Sequence, residues 1–219
     1  MKALAMRLAG VIACVGAAWQ PCAGHAAEED TQLWVYAIAQ TDVSEDWRLT
    51  ADASQRWREN ARGGDQYTLR ATLDTEAAEG VRVGGGLGIF ETEFGETELR
   101  PHQQAEFNTG RWSARTRIEQ RFFDGADRME LRLRQRIRFT QPLGPRWQAS
   151  ADGEYFHLAQ RRDRGSQAAR DQWRGRVMLA RDFDAGWSAS AAYLVIYNPH
   201  PVRRDSVNHV PQVIVTRSF

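Results

Sequence analysis

From Met129 to Phe139 the chain reads Met-Glu-Leu-Arg-Leu-Arg-Gln-Arg-Ile-Arg-Phe. Glu130, Arg132, Arg134, Arg136 and Arg138 occupy successive even positions, and Met129, Leu131, Leu133, Ile137 and Phe139 lie between them. A period of two sends these sets to opposite faces of a β-strand. On a helix the same residues would scatter charge around the whole circumference. A soluble sandwich more often carries Ser, Thr or Lys on its wet face than a row of arginines. A strand polar on one side and greasy on the other, repeated along a chain, is the pattern of a transmembrane β-barrel with a polar interior.

The start of the chain agrees with export. Lys2 and Arg7 form a basic region, Leu8 to Ala18 an apolar core, and Gly24-His-Ala26 a small-residue stretch suited to cleavage after Ala26 or Ala27. Residues 1–27 are therefore expected to be a cleaved leader and 28–219 a single barrel domain. Both cysteines, Cys14 and Cys22, fall in the leader, and the residues before Cys22 lack the small and aliphatic pattern of a lipobox. No later stretch reaches the roughly 18 uncharged apolar residues of a membrane helix, so strands must do any spanning. Without Lys2 and Arg7, 27 of the 29 basic residues remain against 28 acids, a net charge of −1. All 27 are arginines. That balance argues against a nucleic-acid partner, because no basic excess exists to neutralise phosphates.

Alternating segments separated by turn signals follow one another along the chain. They fall at about Gln32–Gln40, Asp46–Trp57, Gln66–Thr75, Val81–Phe90, Glu98–Phe107, Arg111–Phe122, Arg128–Thr140, Arg146–His157, Asp171–Asp182, Gly186–Tyr197 and Val207–Phe219. Most match the ~9–11 residues of a tilted membrane strand. The connectors Asn108–Gly110, Gln141–Pro145 and Phe183–Gly186 are tight, whereas Glu59–Asp65, Leu158–Arg170 and Asn198–Ser206 are longer. Short turns belong on the periplasmic side of such barrels and long loops outside. The tryptophans sort with that assignment: Trp47, Trp112, Trp147 and Trp187 start strands at the short-turn end, and Trp57 and Trp173 lie at the other. Two aromatic belts are expected at the two interfaces of a bilayer, where the indole is half apolar and half polar. A terminal Phe219 on an alternating last strand, with Val213 and Val215 on one face, is the expected signal for the barrel-assembly machinery.

The order of several short motifs resembles the domain-of-unknown-function 2490 family of outer-membrane β-barrel proteins. They are Asp52-Ala-Ser-Gln-Arg-Trp57, Tyr67-Thr-Leu-Arg70, Glu98-Leu-Arg-Pro-His-Gln-Gln104, Arg115-Thr-Arg-Ile-Glu-Gln-Arg-Phe122, Leu131-Arg-Leu-Arg134 with Pro142-Leu143, and Asp152-Gly-Glu154. Asp171-Gln-Trp-Arg174 departs from the pattern, which has Asn before the Arg. A more distant likeness of style is to small acidic-oligosaccharide porins, narrow twelve-stranded barrels with arginine tracks. The resemblance implies an all-β, antiparallel up-and-down barrel in the outer membrane of a Gram-negative bacterium, with no assigned activity. Eleven segments are read, and bacterial single-chain barrels close on an even number. The expectation is 10–12 strands, with a preference for twelve that rests on the resemblance.

The charged faces must point inward, since an arginine on the lipid face costs ~2–4 kcal/mol at mid-membrane. Candidate lumen-lining residues are Arg70, Arg115, Arg117, Glu119, Arg121, Glu130, Arg132, Arg134, Arg136, Arg138, Asp152 and Glu154. Pairing across Phe123–Asp127 sets Arg121 beside Glu130 and Glu119 beside Arg132. Carrying the register across Pro142–Pro145 sets Arg134 beside Asp152 and Arg132 beside Glu154. The apolar positions of every strand, with Met129 and Met178, are read as lipid-facing.

Two functions follow from these residues. One is a small porin-like channel passing anionic or small polar solutes along unpaired arginines. The other is a closed barrel, plugged by interdigitated Arg and Glu, with a structural or surface-interaction role. An outer-membrane enzyme needs a histidine paired with Ser or an acid near a rim. His102, His157, His200 and His209 show no local motif of that chemistry. No cofactor is expected, and no metal site either, cysteine being absent from the mature chain. A soluble lipocalin-like barrel leaves the tryptophan belts and the arginine rows without a role.

Overall fold

A computed structural model describes residues 27–59, 63–165, 171–200 and 204–219. The leader expected over residues 1–27 lies, apart from Ala27, outside the described residues. In chain order the strands are β1 Glu28–Thr31, β2 Leu33–Asp42, β3 Trp47–Trp57, β4 Gln66–Ala78, β5 Val81–Thr92 and β6 Thr97–Thr109. There follow β7 Trp112–Phe123, β8 Glu130–Pro142, β9 Trp147–Gln160, β10 Asp171–Asp182, β11 Trp187–Asn198 and β12 Ser206–Ser218. Each strand from β2 to β12 pairs antiparallel with its sequence neighbour, and β12 returns to β2 to close the ring. The result is a closed barrel of eleven strands.

The odd count has a physical origin in the closing pair. β2 and β12 run parallel, with Gln212 opposite Trp34 and Ser218 opposite Gln40. Phe219 ends the chain with its backbone N–H on the Gln40 carbonyl at 3.0 Å. An all-antiparallel ring needs an even number, whereas one parallel seam permits eleven. The segment read as Gln32–Gln40 is thus a full member of the ring, running toward the same end as the C-terminal strand. β1 lies outside the ring and pairs only with β12, in line with β2 at the same offset. Gln32 bridges the two, its N–H reaching the His209 carbonyl at 2.9 Å.

The tight turns gather at the end where Phe219 lies. Val43 closes β2–β3 on the Trp47 carbonyl, Leu143 closes β8–β9 on Trp147, and Phe183 closes β10–β11 on Trp187, at 2.9, 2.8 and 2.8 Å. Gly80 turns β4 into β5 with φ +71°, and an added Cβ would lie 2.5 Å from the Asn108 carbonyl oxygen. Only glycine adopts that backbone at little cost. Gly86 marks a close approach of a different kind, since its Cβ would strike the Ala71 carbonyl and come within 2.8 Å of the His102 ring.

Alternation then separates two surfaces. Outward stand Leu69, Leu73, Ile89, Ile118, Ile137, Val177, Val213 and Val215, all exposed. The six tryptophans Trp47, Trp57, Trp112, Trp147, Trp173 and Trp187 join them, each 41–54% exposed at a strand end. Inward stand most of the buried groups, and they are largely polar.

Candidate functional site: the lumen

A cavity of about 880 Å³ fills the barrel interior and is lined by side chains from all eleven strands of the ring. Fifteen arginines line it against five carboxylates, Asp52, Asp74, Glu106, Asp152 and Glu154. Glu98, Glu119 and Glu130 lie buried at 3%, 1% and 7% exposure and engage those arginines from below. With Asp42, which holds Arg48 at 2.8 Å, nine carboxylates stand against fifteen guanidiniums and leave six positive charges in excess. Of the twelve candidate residues, Arg70, Arg115, Arg117, Arg121, Arg132, Arg134, Arg136, Arg138, Asp152 and Glu154 line the cavity; Glu119 and Glu130 lie behind the arginines they bind.

The wall from β6 to β9 is a connected ion network. Glu98 accepts from Arg100 at 2.5 and 2.7 Å and from Arg121 at 2.7 and 2.8 Å. Arg121 also binds Glu130. Glu119 accepts from Arg132 at 2.8 and 2.5 Å and from Arg134 at 2.7 Å. Arg134 spans onward to Glu154 at 2.9 Å, and Arg115 reaches the same carboxylate at 2.9 Å. Asp152 holds Arg138 at 3.3 Å and Arg176 at 2.9 Å, while Arg136 meets Glu106 at 3.4 Å. Arg117 donates to the Gln104 side-chain oxygen at 2.5 Å, and Arg70 forks onto Asp52 at 2.8 and 3.1 Å. Paired forks of this kind are the strong form of the Arg–carboxylate bond.

The register explains who meets whom. Between β7 and β8, Arg121 stands opposite Glu130 and Glu119 opposite Arg132. Between β8 and β9 the arrangement differs from the one read off Pro142–Pro145. Arg138 stands opposite Asp152, Arg136 opposite Glu154, and Arg134 and Arg132 opposite Phe156 and Leu158. The cause lies in the turn: Pro142 stays in the strand opposite Gln148, and the hairpin closes from Leu143 to Trp147. Arg134 still reaches Glu154, by a diagonal contact rather than a direct one.

The opposite wall is chemically different. Trp34, Leu194, Ile196 and Val210 are buried at 0–5% exposure and form one cluster, with Tyr36 packed against it. Met178, Ala180 and Ile214 also line the cavity. Apolar positions on β2, β10, β11 and β12 thus face inward, which corrects their reading, and that of Met178, as lipid-facing. The reason is visible in Ala191-Ala-Tyr-Leu-Val-Ile-Tyr197, an apolar run in which both faces of β11 are greasy and alternation carries no sign. Met129 precedes β8 and gives its carbonyl to Gln160 at 2.7 Å.

Sequence reading missed Trp34, Arg56 and Arg174. Arg56 stands opposite Trp34 across the β2–β3 pair, its guanidinium 4.3 Å over the indole. Arg174 lies 4.3 Å over Phe156 and 5.7 Å from the same indole. The even spacing of Trp34 with Gln32, Tyr36 and Ile38 was the available signal. Just beyond β3, burial pushes the Arg58 guanidinium below its ordinary value, with the charge of Arg56 acting the same way. Arg58 donates to the Gly64 carbonyl at 2.9 Å.

The histidines are scattered. His102 is 2% exposed and meets the Thr72 hydroxyl at 3.2 Å inside the barrel. His157 Nδ1 lies 2.9 Å from Asp171 and His209 Nδ1 2.8 Å from the Tyr193 hydroxyl, both pairs exposed. His200 gives its backbone N–H to Asp205 at 2.8 Å.

Three comparisons with known proteins complete the picture. Residues 31–207 match the sequence model of a family described as a protein of unknown function, DUF2490. No curated protein matches the chain. Among solved structures, a rhombohedral crystal form of the NanC porin superposes with a TM-score of 0.53 at 8% identity, covering 78% of this chain and 85% of that one. At that identity the likeness is one of fold, a porin-like closed β-barrel.

Proposed function

The chain belongs to the DUF2490 family of proteins of unknown function, so its role must be read from the lumen, and we propose a porin-like outer-membrane channel for small anionic or polar solutes. The observation that carries this reading is the excess of six guanidinium charges around a cavity of about 880 Å³. Excess fixed charge of one sign attracts counter-ions, and several weak sites in series let them leave again. The exposed apolar wall and its tryptophan belts suit a bilayer around the barrel. Export through a cleaved leader and recognition of Phe219 by the barrel-assembly machinery belong to the same proposal.

A second reading has its own support. The Glu98–Arg121–Glu130 and Glu119–Arg134–Glu154–Arg115 chains bridge β6 to β9 and fill that side of the lumen. In this reading they hold the barrel shut, and its role is structural or at the surface. Planar bilayers separate the two. The refolded protein in a KCl gradient should give discrete conductance steps with a reversal potential on the anion side. A silent membrane from correctly folded, heat-modifiable protein would overturn the channel and leave the plug.

A further inference from the structure

We propose that Arg56 and Arg174, both close to the Trp34 indole, form a binding site for the carboxylate of a small hydroxylated organic acid. The inference rests on the channel reading for its solute class, but the site itself stands on local geometry. Eleven of the fifteen lining arginines reach a carboxylate; among the described residues Arg56 and Arg174 reach none, nor do Arg58 and Arg82, which donate to the backbone carbonyls of Gly64 and Asp74. Arg56 spends Nη1 on the Gln66 side-chain oxygen at 3.0 Å and touches the Tyr36 hydroxyl at 3.5 Å, and its buried Nε has no partner.

Arg174 is the more telling case. It stands opposite Glu154 on the β9–β10 ladder, where a pair would be expected. Both oxygens of Glu154 are already taken by Arg134, and one also by Arg115. Arg174 is left with the Gln172 side-chain oxygen at 2.7 Å and the face of Phe156. A stacked ring lowers the energy of a guanidinium without neutralising it or using its N–H edge. Both residues line the cavity, which sets their guanidinium groups at its surface.

The two guanidinium carbons lie 4.3 and 5.7 Å from one indole centroid, hence within about 10 Å of each other. Two cations that close, in a site with few carboxylates, repel one another until an anion enters. A planar carboxylate matches the guanidinium fork. The neutral amides Gln66, Gln172 and Gln212 offer hydrogen bonds of either sense to hydroxyl groups beside it. The arginines of β8, held by Glu119, Glu154 and Asp152, then have a structural role and not a binding one.

Calorimetric titration of the full refolded protein with sodium glucuronate, and with glucose as the neutral control, tests the site. Glucuronate should bind and glucose should not. Arg56→Gln/Arg174→Gln should weaken binding at least tenfold, while Arg111→Gln/Arg146→Gln, the same charge change at two exposed turns, should leave it unchanged. Arg174→Lys, which keeps the charge and loses the fork, should fall between and serves if the double variant does not fold. No glucuronate binding, or equal binding by the double variant, would overturn the site. Retained binding with a silent bilayer would keep the site and sink the channel.

Discussion

The wall from β6 to β9 and the wall from β10 through β12 to β2 use one backbone pattern and opposite chemistry. The first turns charged side chains inward and links them in pairs and triplets. The second turns in Leu194, Ile196, Val210, Ile214 and Trp34, with no charged residue facing the lumen along β11, β12 or residues 34–40 of β2. The difference teaches that the barrel is not filled evenly. Charge holds one half of the ring together across strands, and ordinary apolar packing holds the other at its parallel closure. Arg56 and Arg174 sit at the junction, where neither device neutralises them.

The largest effect that could break this comparison is loss of Glu119. It is 1% exposed and takes three hydrogen bonds from Arg132 and Arg134. Glu119→Gln leaves those guanidiniums facing each other in a dry place, and removing one partner of a buried pair costs ~3–5 kcal/mol. Urea unfolding followed by heat-modifiable gel mobility should show a lowered midpoint. If Glu119→Gln unfolds like the exposed-pair variant Asp42→Asn, whose partner Arg48 is 45% exposed, the network adds no stability. Exposed pairs are worth only ~0.2–1 kcal/mol.

The apolar wall should respond to volume and not to charge. Leu194→Ala removes side-chain atoms from the closed cluster with Trp34, Ile196 and Val210, at a cost of ~2–5 kcal/mol. Water entering the lumen would place it at the low end of that range. Raised salt should leave this variant's deficit unchanged and alter that of Glu119→Gln, which distinguishes the two walls in one titration.

A smaller effect concerns the seam. Parallel ladders are slightly less stable per residue than antiparallel ones, and β2–β12 is the ring's one parallel pair. Amide exchange in detergent micelles should be faster at Val35, Ala37 and Val213 than at Thr116, Ile118 and Leu133. Equal protection would mean that the apolar cluster behind the seam compensates fully.

Much of the charged wall was legible because its strands obey a strict period of two. Met129–Phe139 declares its faces without ambiguity, and the β7–β8 pairing follows from a short connector. The β8–β9 register was not legible, since Gln141-Pro-Leu-Gly-Pro145 offers two prolines and one glycine as turn sites. Choosing the wrong one slides every pair by four residues in sum. The apolar wall was hidden for the opposite reason: where both faces of a strand are greasy, alternation has nothing to report. The parallel closure was hidden as well, because strand direction is set by how the ends meet and leaves no mark on composition. The site at Trp34 inherits both blind spots, lying on the seam and depending on Glu154 being bound elsewhere.

The smallest effect sharpens the contrast at the long-loop end of the apolar wall. Asp205 lies between β11 and β12, accepting the Tyr197 hydroxyl at 2.5 Å and the His200 backbone N–H at 2.8 Å. The Tyr197 hydrogen bond, then the His200 N–H, hold its carboxyl below the ordinary range. A carboxyl depressed in the folded state contributes stability above its unfolded pKa and loses it as pH falls through the folded value. Asp205 is half-buried at the rim of the barrel, where solvent screening keeps the contribution small. Acidification from neutral pH to below the carboxylate range should therefore loosen the contacts of Asp205 with Tyr197 and His200 before it loosens the ring. Protection of the His200 amide, taken relative to the intrinsic exchange rate at each pH, should fall at low pH in the native chain and be already lowered, and flat with pH, in Asp205→Asn. A pH response that survives in Asp205→Asn would shift the cause to the ion network across the lumen, making the charged wall the softer of the two under acid.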